Sequence, residues 1–478
     1  MKRVLIFFAP AFIPLGTALM KELSARDSAV QFIGVASTRQ VRDTLMGMRD
    51  ISFAALECLE ENEERWIKKP FFDAVKMKAF EDRYGAKTLH DIIVADRQAG
   101  AEFVTCAERE ESVLARACRD PDVLNSYTLG VLDYTDYLFE TYKPTAVFCY
   151  VVASAPTLCL AKACIERGVF FARLQHTRIE DFTVLDTDFK GMMAPIWKRF
   201  QAGEKPAADK AAQGKIWLEN FRHKNSEPDY MALLKTQSRK TLSASGIAKS
   251  IARAAARGLF YGFVKPNKPL RAPSGWQGFR QSITTPVKTR ALYQRKGFKT
   301  IEDLKSSHYI YYPLHVDPEA STMVLAPDYT NQLAVIRAAS KALPPGMQLF
   351  VKEHPNMAGR RPKGFYDEIA ALPCTALIHP SITGRDALNL CAGVFTITGT
   401  SGWEAVLIGK PCVVLGDGHF QNFESITHCP DIADLPQALQ NSFQKKPLSD
   451  DELIRFLGIT FEESFPVPSK LAWASEGK

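Results

Sequence analysis

Small and hydroxyl-bearing residues stand between a predicted buried strand and a predicted helix, in the run Thr398-Gly399-Thr400-Ser401-Gly402. Free backbone N–H groups at the start of a helix, together with the helix dipole, favour an anion such as a phosphate. The hydroxyls of Thr400 and Ser401 can add donors or cap the helix. Glu404 follows on the first turn, where its carboxylate could accept hydrogen bonds from ribose hydroxyls. The run therefore predicts a phosphate site, although a plain strand-to-helix turn has the same composition.

A second polar segment follows the predicted strand 348–351, in the order Lys352-Glu353-His354-Pro355. These side chains belong to the carboxyl end of a strand, which is the edge where open α/β sheets bind ligands. Lys352 and His354 could both contact a phosphate. A lone histidine at a strand end can equally be held by ordinary hydrogen bonds.

Carboxylates cluster after a third predicted strand at 169–174, namely Glu180, Asp181, Asp186 and Asp188. Their position after a strand predicts that they lie near a ligand-binding edge. His176 precedes them and could act as a base, because the ordinary pKa of histidine lies near neutrality. Asp186-Thr187-Asp188 also reads as the metal-nucleotide DxD motif of another transferase fold. The same acids could instead be solvated loop residues.

Alternating strands and helices explain how these segments could meet. Residues 305–440 alternate strand and helix five times, and residues 1–190 show the same rhythm more loosely, which predicts parallel sheets. Within the first region, residues from about 52 to 142 read as a charged helical stretch. Residues 191–304 read as a helical and basic excursion with a linker, and residues 441–478 as a helical tail that could pack back on the first domain. We therefore expect an α/β fold with two Rossmann-like domains facing across a cleft, and a helical, basic insertion.

Bulk composition suits a folded chain of 478 residues, with 46% hydrophobic and 24% charged residues. The apolar run at 4–20 imitates a signal peptide, but Pro10, Pro14 and Gly16 interrupt it and no cleavage site follows, so a buried strand is predicted instead. No other run is long enough to span a membrane. Ten scattered cysteines without a CxxC pair favour a reducing cytoplasm over a disulfide or zinc scaffold.

Positive charge is concentrated in residues 230–301, which contain 15 Lys or Arg and no Asp or Glu. The whole chain contains 60 Lys or Arg and 53 Asp or Glu. Within 245–263, apolar residues recur every four positions beside Lys249, Arg253 and Arg257. This pattern predicts a basic amphipathic helix that could lie on an anionic membrane surface. No nucleic-acid-binding motif accompanies the charge, so no nucleic acid is expected. A solvated face packed on the first domain remains an alternative.

Together these segments resemble the capsule polysaccharide biosynthesis family, which includes β-Kdo transferases. The resemblance rests on the two polar segments above, on Trp403-Glu404-Ala405 and Gly409-Lys410-Pro411, and on Tyr312-Pro313-Leu314-His315 with Pro318-Glu319. It covers residues 305–425 well and residues 140–190 weakly. The remaining chain carries no motif that matches.

That resemblance implies a GT-B-like glycosyltransferase that takes Kdo or a similar acidic sugar from a CMP-linked donor held by the second domain. The residues implied to bind the nucleotide are Lys352, His354, Pro355, Thr398, Gly399, Thr400, Ser401, Gly402 and Glu404. The residues implied to contact substrate are Arg178, His315 and Glu319. The donor phosphate is already a good leaving group, so no metal and no other cofactor is expected.

The same resemblance implies a catalytic role for the acidic segment that follows the third predicted strand. The Glu180-Asp181 pair resembles the acidic pair of capsular Kdo transferases, although Phe182 stands where a glycine often follows. Some of those enzymes retain the anomeric configuration, and retention by double displacement needs a carboxylate nucleophile. Asp181 is then the first candidate, with Asp188 and Asp186 behind it.

Two other functions share parts of this pattern. A polyol-phosphate transferase with a CDP-linked donor would have the same CMP leaving group, and a non-catalytic assembly or export partner could keep the fold without activity. In the main interpretation the acceptor is a lipid-linked chain or an oligosaccharide. The protein would then work at the inner face of the cytoplasmic membrane as a peripheral protein.

Overall fold

The computed structural model describes most of the chain, as residues 2–108, 112–223, 252, 269–272 and 275–467. Apart from residue 252, the predicted basic helix at 245–263 lies outside the described residues. Among the helices that are described, none is long and apolar enough to cross a membrane.

Strands and helices alternate along most of the described chain. The strands are β1 (Arg3–Phe8), β2 (Gln31–Ala36), β3 (Ala55–Cys58), β4 (Ala146–Cys149), β5 (Phe170–His176), β6 (Phe182–Asp186), β7 (Tyr309–Pro313), β8 (Gln348–Lys352), β9 (Thr375–Ile378), β10 (Gly393–Thr396), β11 (Cys412–Val414), β12 (Ile426–His428) and β13 (Ser464–Pro466). The helices are α1 (Ile13–Arg26), α2 (Arg39–Met46), α3 (Leu59–Lys68), α4 (Ala74–Tyr84), α5 (Ala86–Val94), α6 (Val113–Ala117), α7 (Pro121–Tyr142), α8 (Ala155–Arg167), α9 (Ala194–Gln201), α10 (Ala208–His223), α11 (Gly275–Gln294), α12 (Ile301–Ser306), α13 (Ala320–Met323), α14 (Gln332–Ala342), α15 (Phe365–Ala370), α16 (Gly384–Leu390), α17 (Thr400–Ile408), α18 (Leu435–Ser442) and α19 (Asp450–Glu463).

The second sheet is parallel throughout and follows the order β9-β8-β7-β10-β11-β12. Its strands are apolar on both faces because helices cover both, and Ile310, Tyr311 and Phe350 are each almost fully buried. The strand order reverses between β7 and β10. In such doubly wound sheets, ligands bind at the carboxyl ends of the strands at this switch point.

The first sheet follows the order β3-β2-β1-β4-β5-β6-β13. The strands β1 to β5 pair in parallel, whereas β6 and β13 are antiparallel additions at one edge. Leu5, Ile33 and Val147 lie in the core between this sheet and its helices. The predicted α/β fold with two Rossmann-like domains is confirmed.

Contacts across the junction hold the two domains against each other. Val324, which follows α13 of the second domain, is buried in the core of the first. Lys87 and Asp328 form an ion pair at 2.8 Å between the domains. The C-terminal helix α19 packs on α9 and α10, and β13 then pairs with β6 of the first sheet.

A buried arginine anchors residues 269–272 to the first domain. The guanidinium of Arg271 lies 2.5 Å from the carboxylate of Glu63 and 2.9 Å from that of Asp96, and both carboxylates are fully buried. Arg271 also donates to the hydroxyl of Tyr127 at 2.6 Å, and the backbone N–H of Leu270 donates to Glu60 at 2.8 Å. This network fixes the chain where it returns from the basic segment.

One strand of the first sheet differs from the prediction. The segment from about 52 to 142 was expected to be helical and charged, yet Ala55–Cys58 forms the edge strand β3, paired in parallel with β2. Its sequence contains Glu57, a charge that is unusual in a strand. The carboxylate of Glu57 accepts hydrogen bonds from the hydroxyls of Tyr137 and Tyr142. Tertiary partners from α7 therefore allow a strand that the local sequence does not indicate.

Candidate functional site

The switch point of the second sheet joins two of the predicted segments. His315 follows β7 and Thr398 follows β10, and the imidazole Nε2 of His315 accepts a hydrogen bond from the backbone N–H of Thr398 at 3.1 Å. A Cβ at Gly399 would lie 2.7 Å from the hydroxyl of Thr396 and 3.3 Å from Nε2 of His315. Glycine is therefore required here for close packing.

His315 is a neutral, buried histidine at this point. Its side chain is 6% exposed, and burial lowers its pKa to about 3, with the nearby His354 and Arg361 adding to the effect. Because Nε2 accepts a hydrogen bond, Nδ1 carries the proton. Nδ1 is buried and has no hydrogen-bond partner among the described residues. The ring therefore has one buried donor without a partner among the described residues.

The helix α17 begins directly after this contact. Gly399 is its N-cap residue and supplies no capping side chain, so the first N–H groups of the helix are not satisfied by a side-chain cap. The hydroxyl of Thr398 is already used, because it donates to the carbonyl of Ser321 at 2.7 Å. The hydroxyl of Ser401 bonds to that of Tyr311. The backbone N–H of Gly402 donates to the carbonyl of Gly399 at 2.9 Å. The N–H groups of Thr400 and Ser401 and the hydroxyl of Thr400 are therefore the groups of this run that an anion could meet.

The Lys-Glu-His-Pro segment divides into a buried scaffold and a more exposed histidine. Glu353 accepts two hydrogen bonds of 2.9 Å from Arg361, and Lys352 is 5% exposed. His354 is half-buried and begins the short helical turn at Pro355, where its Nδ1 accepts from the backbone N–H of Asn356 at 3.2 Å. Only His354 of the two predicted phosphate ligands is therefore well placed to meet a ligand from the cleft.

Two further predicted residues flank this edge. The carboxylate of Glu319 accepts from the hydroxyl of Ser321 at 2.9 Å and lies near His354, whose pKa is lowered by burial, while Glu319 opposes that shift. Glu404 lies beside Arg385, whose pKa burial lowers and Glu404 raises. Arg385 has a buried Nη1 without a hydrogen-bond partner among the described residues. The predicted ribose-binding carboxylate is therefore next to a cation.

The loop between β5 and β6 carries the acidic pair from the first domain. Arg178 and Glu180 have positive φ angles of 66° and 45°, which non-glycine residues rarely adopt. The Nδ1 of His176 accepts from the backbone N–H of Arg178 at 2.9 Å, and burial lowers the pKa of His176 to about 4, with Arg178 adding to it. Asp181 and Glu180 are exposed. The imidazole therefore fixes the loop, and the two carboxylates are open to solvent.

Asp186 has a structural position that argues against the predicted catalytic role. It is fully buried, and its two carboxylate oxygens accept hydrogen bonds from the backbone N–H groups of Asp188, Met193 and Ala194 at 3.1, 2.6 and 3.1 Å. The carboxylate thus secures the start of α9 and has no open side toward a substrate or a metal ion. Asp188 is half-buried and keeps one oxygen available, since the other accepts from the N–H of Lys190 at 2.8 Å.

The loop after β11 supplies functional candidates that the sequence reasoning missed. Asp417 forms an ion pair of 2.5 Å with Lys190 of the first domain. His419 is 8% exposed, and burial lowers its pKa to about 3, with Arg178 and His176 adding to the effect. The run Gly416-Asp417-Gly418 after a predicted strand is the signal that could have indicated this loop. The loop places His419 of the second domain near His176 and Arg178 of the first.

No group of three or more His, Cys, Asp or Glu side chains among the described residues is arranged to hold a metal ion. The candidate site comprises the switch-point edge of the second sheet and the exposed acidic loop of the first domain. Such a pair of facing elements can hold a phosphorylated ligand on one side and present carboxylates to it from the other.

Comparison with solved structures gives low similarity. The beta Kdo 2,7 transferase KpsC from Thermosulfurimonas dismutans is 12% identical to this chain, with 68% of this chain and 80% of that chain covered and a TM-score of 0.32. The KpsC beta Kdo 2,4 transferase from the same organism is also 12% identical, with 66% of this chain and 87% of that chain covered and a TM-score of 0.27. The UDP-GlcNAc 2-epimerase of Neisseria meningitidis is 11% identical, with 97% and 99% covered and a TM-score of 0.27.

Comparison at the level of families is more specific. No curated protein matches the chain significantly. The model of the family described as capsule polysaccharide biosynthesis protein matches residues 287–443. This range contains the whole second sheet and the polar segments at its switch point. The resemblance to this family that was inferred from those motifs is confirmed over residues 287–443.

Proposed function

We propose that the protein is a glycosyltransferase of capsule polysaccharide synthesis that transfers Kdo or a similar acidic sugar from a CMP-linked donor. The observation that carries the proposal is the convergence of His315, His354 and the start of α17 at the switch point of the family-matched domain. Parallel sheets bind nucleotides at this position.

The second domain would hold the CMP phosphate. The N–H groups at the start of α17 and the positive end of its dipole favour a dianionic or monoanionic phosphate. His315 has a buried Nδ1–H without a partner, and His354 lies beside it on the adjacent strand end. These groups would stabilise the negative charge that develops on CMP as the glycosidic bond to the donor sugar breaks.

The first domain would supply the carboxylate chemistry. Asp181 and Glu180 are exposed on a loop whose conformation His176 fixes through the N–H of Arg178. Asp181 would act as nucleophile in a retaining reaction or as base in an inverting one. His176 has a pKa of about 4, so it is neutral near pH 7 and better suited to positioning this loop than to accepting a proton.

Partners follow from the same proposal. The acceptor would be a lipid-linked chain or an oligosaccharide, and no metal would be required. The protein would attach to the inner face of the cytoplasmic membrane through the basic segment 245–263, which lies outside the described residues. The support for attachment is the positive charge of residues 230–301, which contain no Asp or Glu of their own. Three of its cations, Arg271, Lys288 and Arg295, are paired with carboxylates elsewhere in the chain, so the remaining ones would carry the attachment.

A donor panel tests the proposal directly. CMP-Kdo, CDP-glycerol, CDP-ribitol and UDP-GlcNAc are incubated with the purified protein and an oligosaccharide acceptor mixture, with and without EDTA, and products are identified by mass spectrometry. The proposal expects a Kdo-extended product and CMP release from CMP-Kdo, unchanged by EDTA. Turnover of CDP-polyols alone would establish the polyol-phosphate transferase instead. Absence of any cytidine nucleotide binding would favour a non-catalytic partner.

A further inference from the structure

A pocket of about 330 Å³ opens between α9 and the loop after β11, so each domain supplies part of its wall. Its polar lining consists of Asp188, Lys198, Gln201 and Asn422. Its apolar lining consists of Met192, Ala194 and Trp197. Asp188 follows β6, at the end of that strand opposite to the loop that carries Glu180 and Asp181, and the pocket lining contains neither this loop nor the histidines of the switch point.

The polar side chains of this pocket are available to a ligand. Within the described part of the chain, the side chains of Lys198, Gln201 and Asn422 have no hydrogen-bond or ion-pair partner, and all three are exposed. Asp188 uses one carboxylate oxygen for the backbone N–H of Lys190 and keeps the other. Four polar groups therefore converge on one cavity with most of their hydrogen-bonding capacity unused.

The wall that carries these groups is rigid. Asp186 accepts hydrogen bonds from the N–H groups of Met193 and Ala194 and so fixes the start of α9. The indole N–H of Trp197 donates to the carbonyl of His419 at 2.7 Å, which ties α9 to the loop after β11. The pocket is therefore formed before a ligand arrives.

The chemistry of the lining selects the class of ligand. One carboxylate and one ammonium give the pocket no net charge, so a phosphate or a sugar acid gains little there. The two amides both donate and accept, which matches hydroxyl groups that do the same. The apolar groups suit the C–H face of a sugar ring, because ligand pockets combine apolar walls with a few polar groups. A neutral saccharide fits this combination.

The position of the pocket relates it to the proposed transfer site. Asp188 and Lys190 belong to one short segment, and Lys190 is paired with Asp417 of the second domain. The preceding Gly416 packs so closely that a Cβ there would lie 2.7 Å from Cγ2 of Thr398, at the switch point. A short chain of contacts thus links the segment that contains Asp188 to Thr398 at the switch point.

We propose that this pocket is a subsite for a neutral sugar residue of the acceptor, an inference that rests on the proposed transferase function. The donor would occupy the switch point, and the acceptor chain would enter past α9. Gln201 and Asn422 would bind its hydroxyl groups and so determine which acceptor is used.

Saturation-transfer NMR on the full-length protein tests the subsite without requiring activity. The probes are methyl β-glucopyranoside, methyl β-galactopyranoside and lactose, with inorganic phosphate followed by its own ³¹P signal. The variants are Gln201→Leu and Asn422→Leu, and the matched control is Gln437→Leu, an exposed glutamine on α18. We expect transfer to at least one neutral probe, about 3- to 10-fold weaker binding in both variants, and no change in the control, on the scale of one or two lost hydrogen bonds.

The subsite is wrong if no neutral probe receives saturation, if both variants bind as the wild type does, or if only phosphate binds. CMP titration of the same samples separates this result from the proposed function. Saccharide binding that depends on Gln201 and Asn422, without any CMP binding, would sustain the pocket and overturn the transferase. CMP binding without saccharide binding would overturn the subsite and leave the proposed transferase function standing.

Discussion

The imidazole of His315 accepts a hydrogen bond from the backbone N–H of Thr398 at 3.1 Å, and this contact ties the ends of β7 and β10 together where the second sheet reverses its order. It also explains why the histidine must be neutral, because a protonated Nε2 could not accept from an N–H group. The contact at the switch point therefore depends on a histidine that acid would protonate.

The free energy of unfolding should decrease in mild acid. Burial lowers the pKa of His315 and His419 to about 3 and of His176 to about 4, all below the ordinary value of 6.5. Between these values and pH 6.5 the unfolded chain binds protons that the folded chain does not, so the free energy of unfolding decreases as pH falls. Each histidine contributes a slope of up to about 1.4 kcal/mol per pH unit.

Urea denaturation at pH 7.5, 6.5, 5.5 and 4.5 measures this slope. His315→Gln keeps an acceptor near Thr398 and removes the titration, so it should flatten the slope. The exposed His308→Gln serves as the comparison. A free energy of unfolding that is constant from pH 6.5 to 4.5 in the wild type would contradict the prediction.

The two carboxylates of the acidic segment should respond differently to substitution. Asp181 is exposed, so Asp181→Asn should fold normally, bind CMP and lose turnover. Asp186 accepts from three backbone N–H groups, so Asp186→Ala should lower the free energy of unfolding by at least about 2 kcal/mol. Chemical denaturation and turnover, measured on both variants, check the contrast. Full turnover in Asp181→Asn would exclude Asp181 as the nucleophile.

Arg271 should be a strong stabilising contact of the first domain. Replacing it with Met leaves the buried carboxylates of Glu63 and Asp96 without their cation, which typically costs about 3–5 kcal/mol. Arg280→Met, at an exposed position on α11, is the matched control. Adding Glu63→Gln to Arg271→Met should recover part of the loss because one buried charge is removed. Equal stability of Arg271→Met and Arg280→Met would show that the network contributes little.

Membrane attachment should depend on the basic segment. Changing Lys249, Arg253 and Arg257 to Glu should release the protein from anionic vesicles, since each cation near such a surface contributes about 1 kcal/mol within a Debye length of roughly 8–10 Å. The control carries the same charge change at three exposed lysines elsewhere, Lys68, Lys78 and Lys341. Vesicle sedimentation at low and high salt gives the answer. If the triple variant sediments as the wild type does, this segment is not the anchor.

The local sequence predicted those parts of the candidate site that lie within one continuous strand-turn-helix segment. The strand, the small-residue turn and the helix at 398–402 form one continuous pattern, and His354 follows its strand directly. The pairing of His315 with Thr398 joins residues 83 positions apart, and nothing in the sequence specified it. Lys190 with Asp417, and Arg271 with its two carboxylates, escaped prediction for the same reason.

The four carboxylates after β5 also show that local sequence does not determine tertiary burial. The sequence placed them together, and the family resemblance put Asp181 first. Neither could show that Asp186 is buried while Asp181 is exposed, because burial is a tertiary property. The edge strand β3 was missed because its stability comes from tyrosines of α7 that lie about 80 residues away.

CMP affinity should depend on the switch-point residues. His354→Ala and Thr400→Val should each weaken CMP binding by about 1–3 kcal/mol, the scale of a hydrogen bond to a charged group. His379→Ala is the matched control, because His379 also follows a strand of the second sheet but lies beyond β9 at its far edge. Isothermal titration calorimetry gives the affinities. Unchanged affinity in both variants would remove these residues from the nucleotide site.

A structure of the complex with CMP tests the central claim most directly. The account predicts that the phosphate lies within hydrogen-bonding distance of the backbone N–H groups at the start of α17 and of the imidazole of His354, with the ribose toward Glu404. A phosphate bound at the first sheet, or no bound CMP at concentrations that saturate a calorimetric titration, would contradict it.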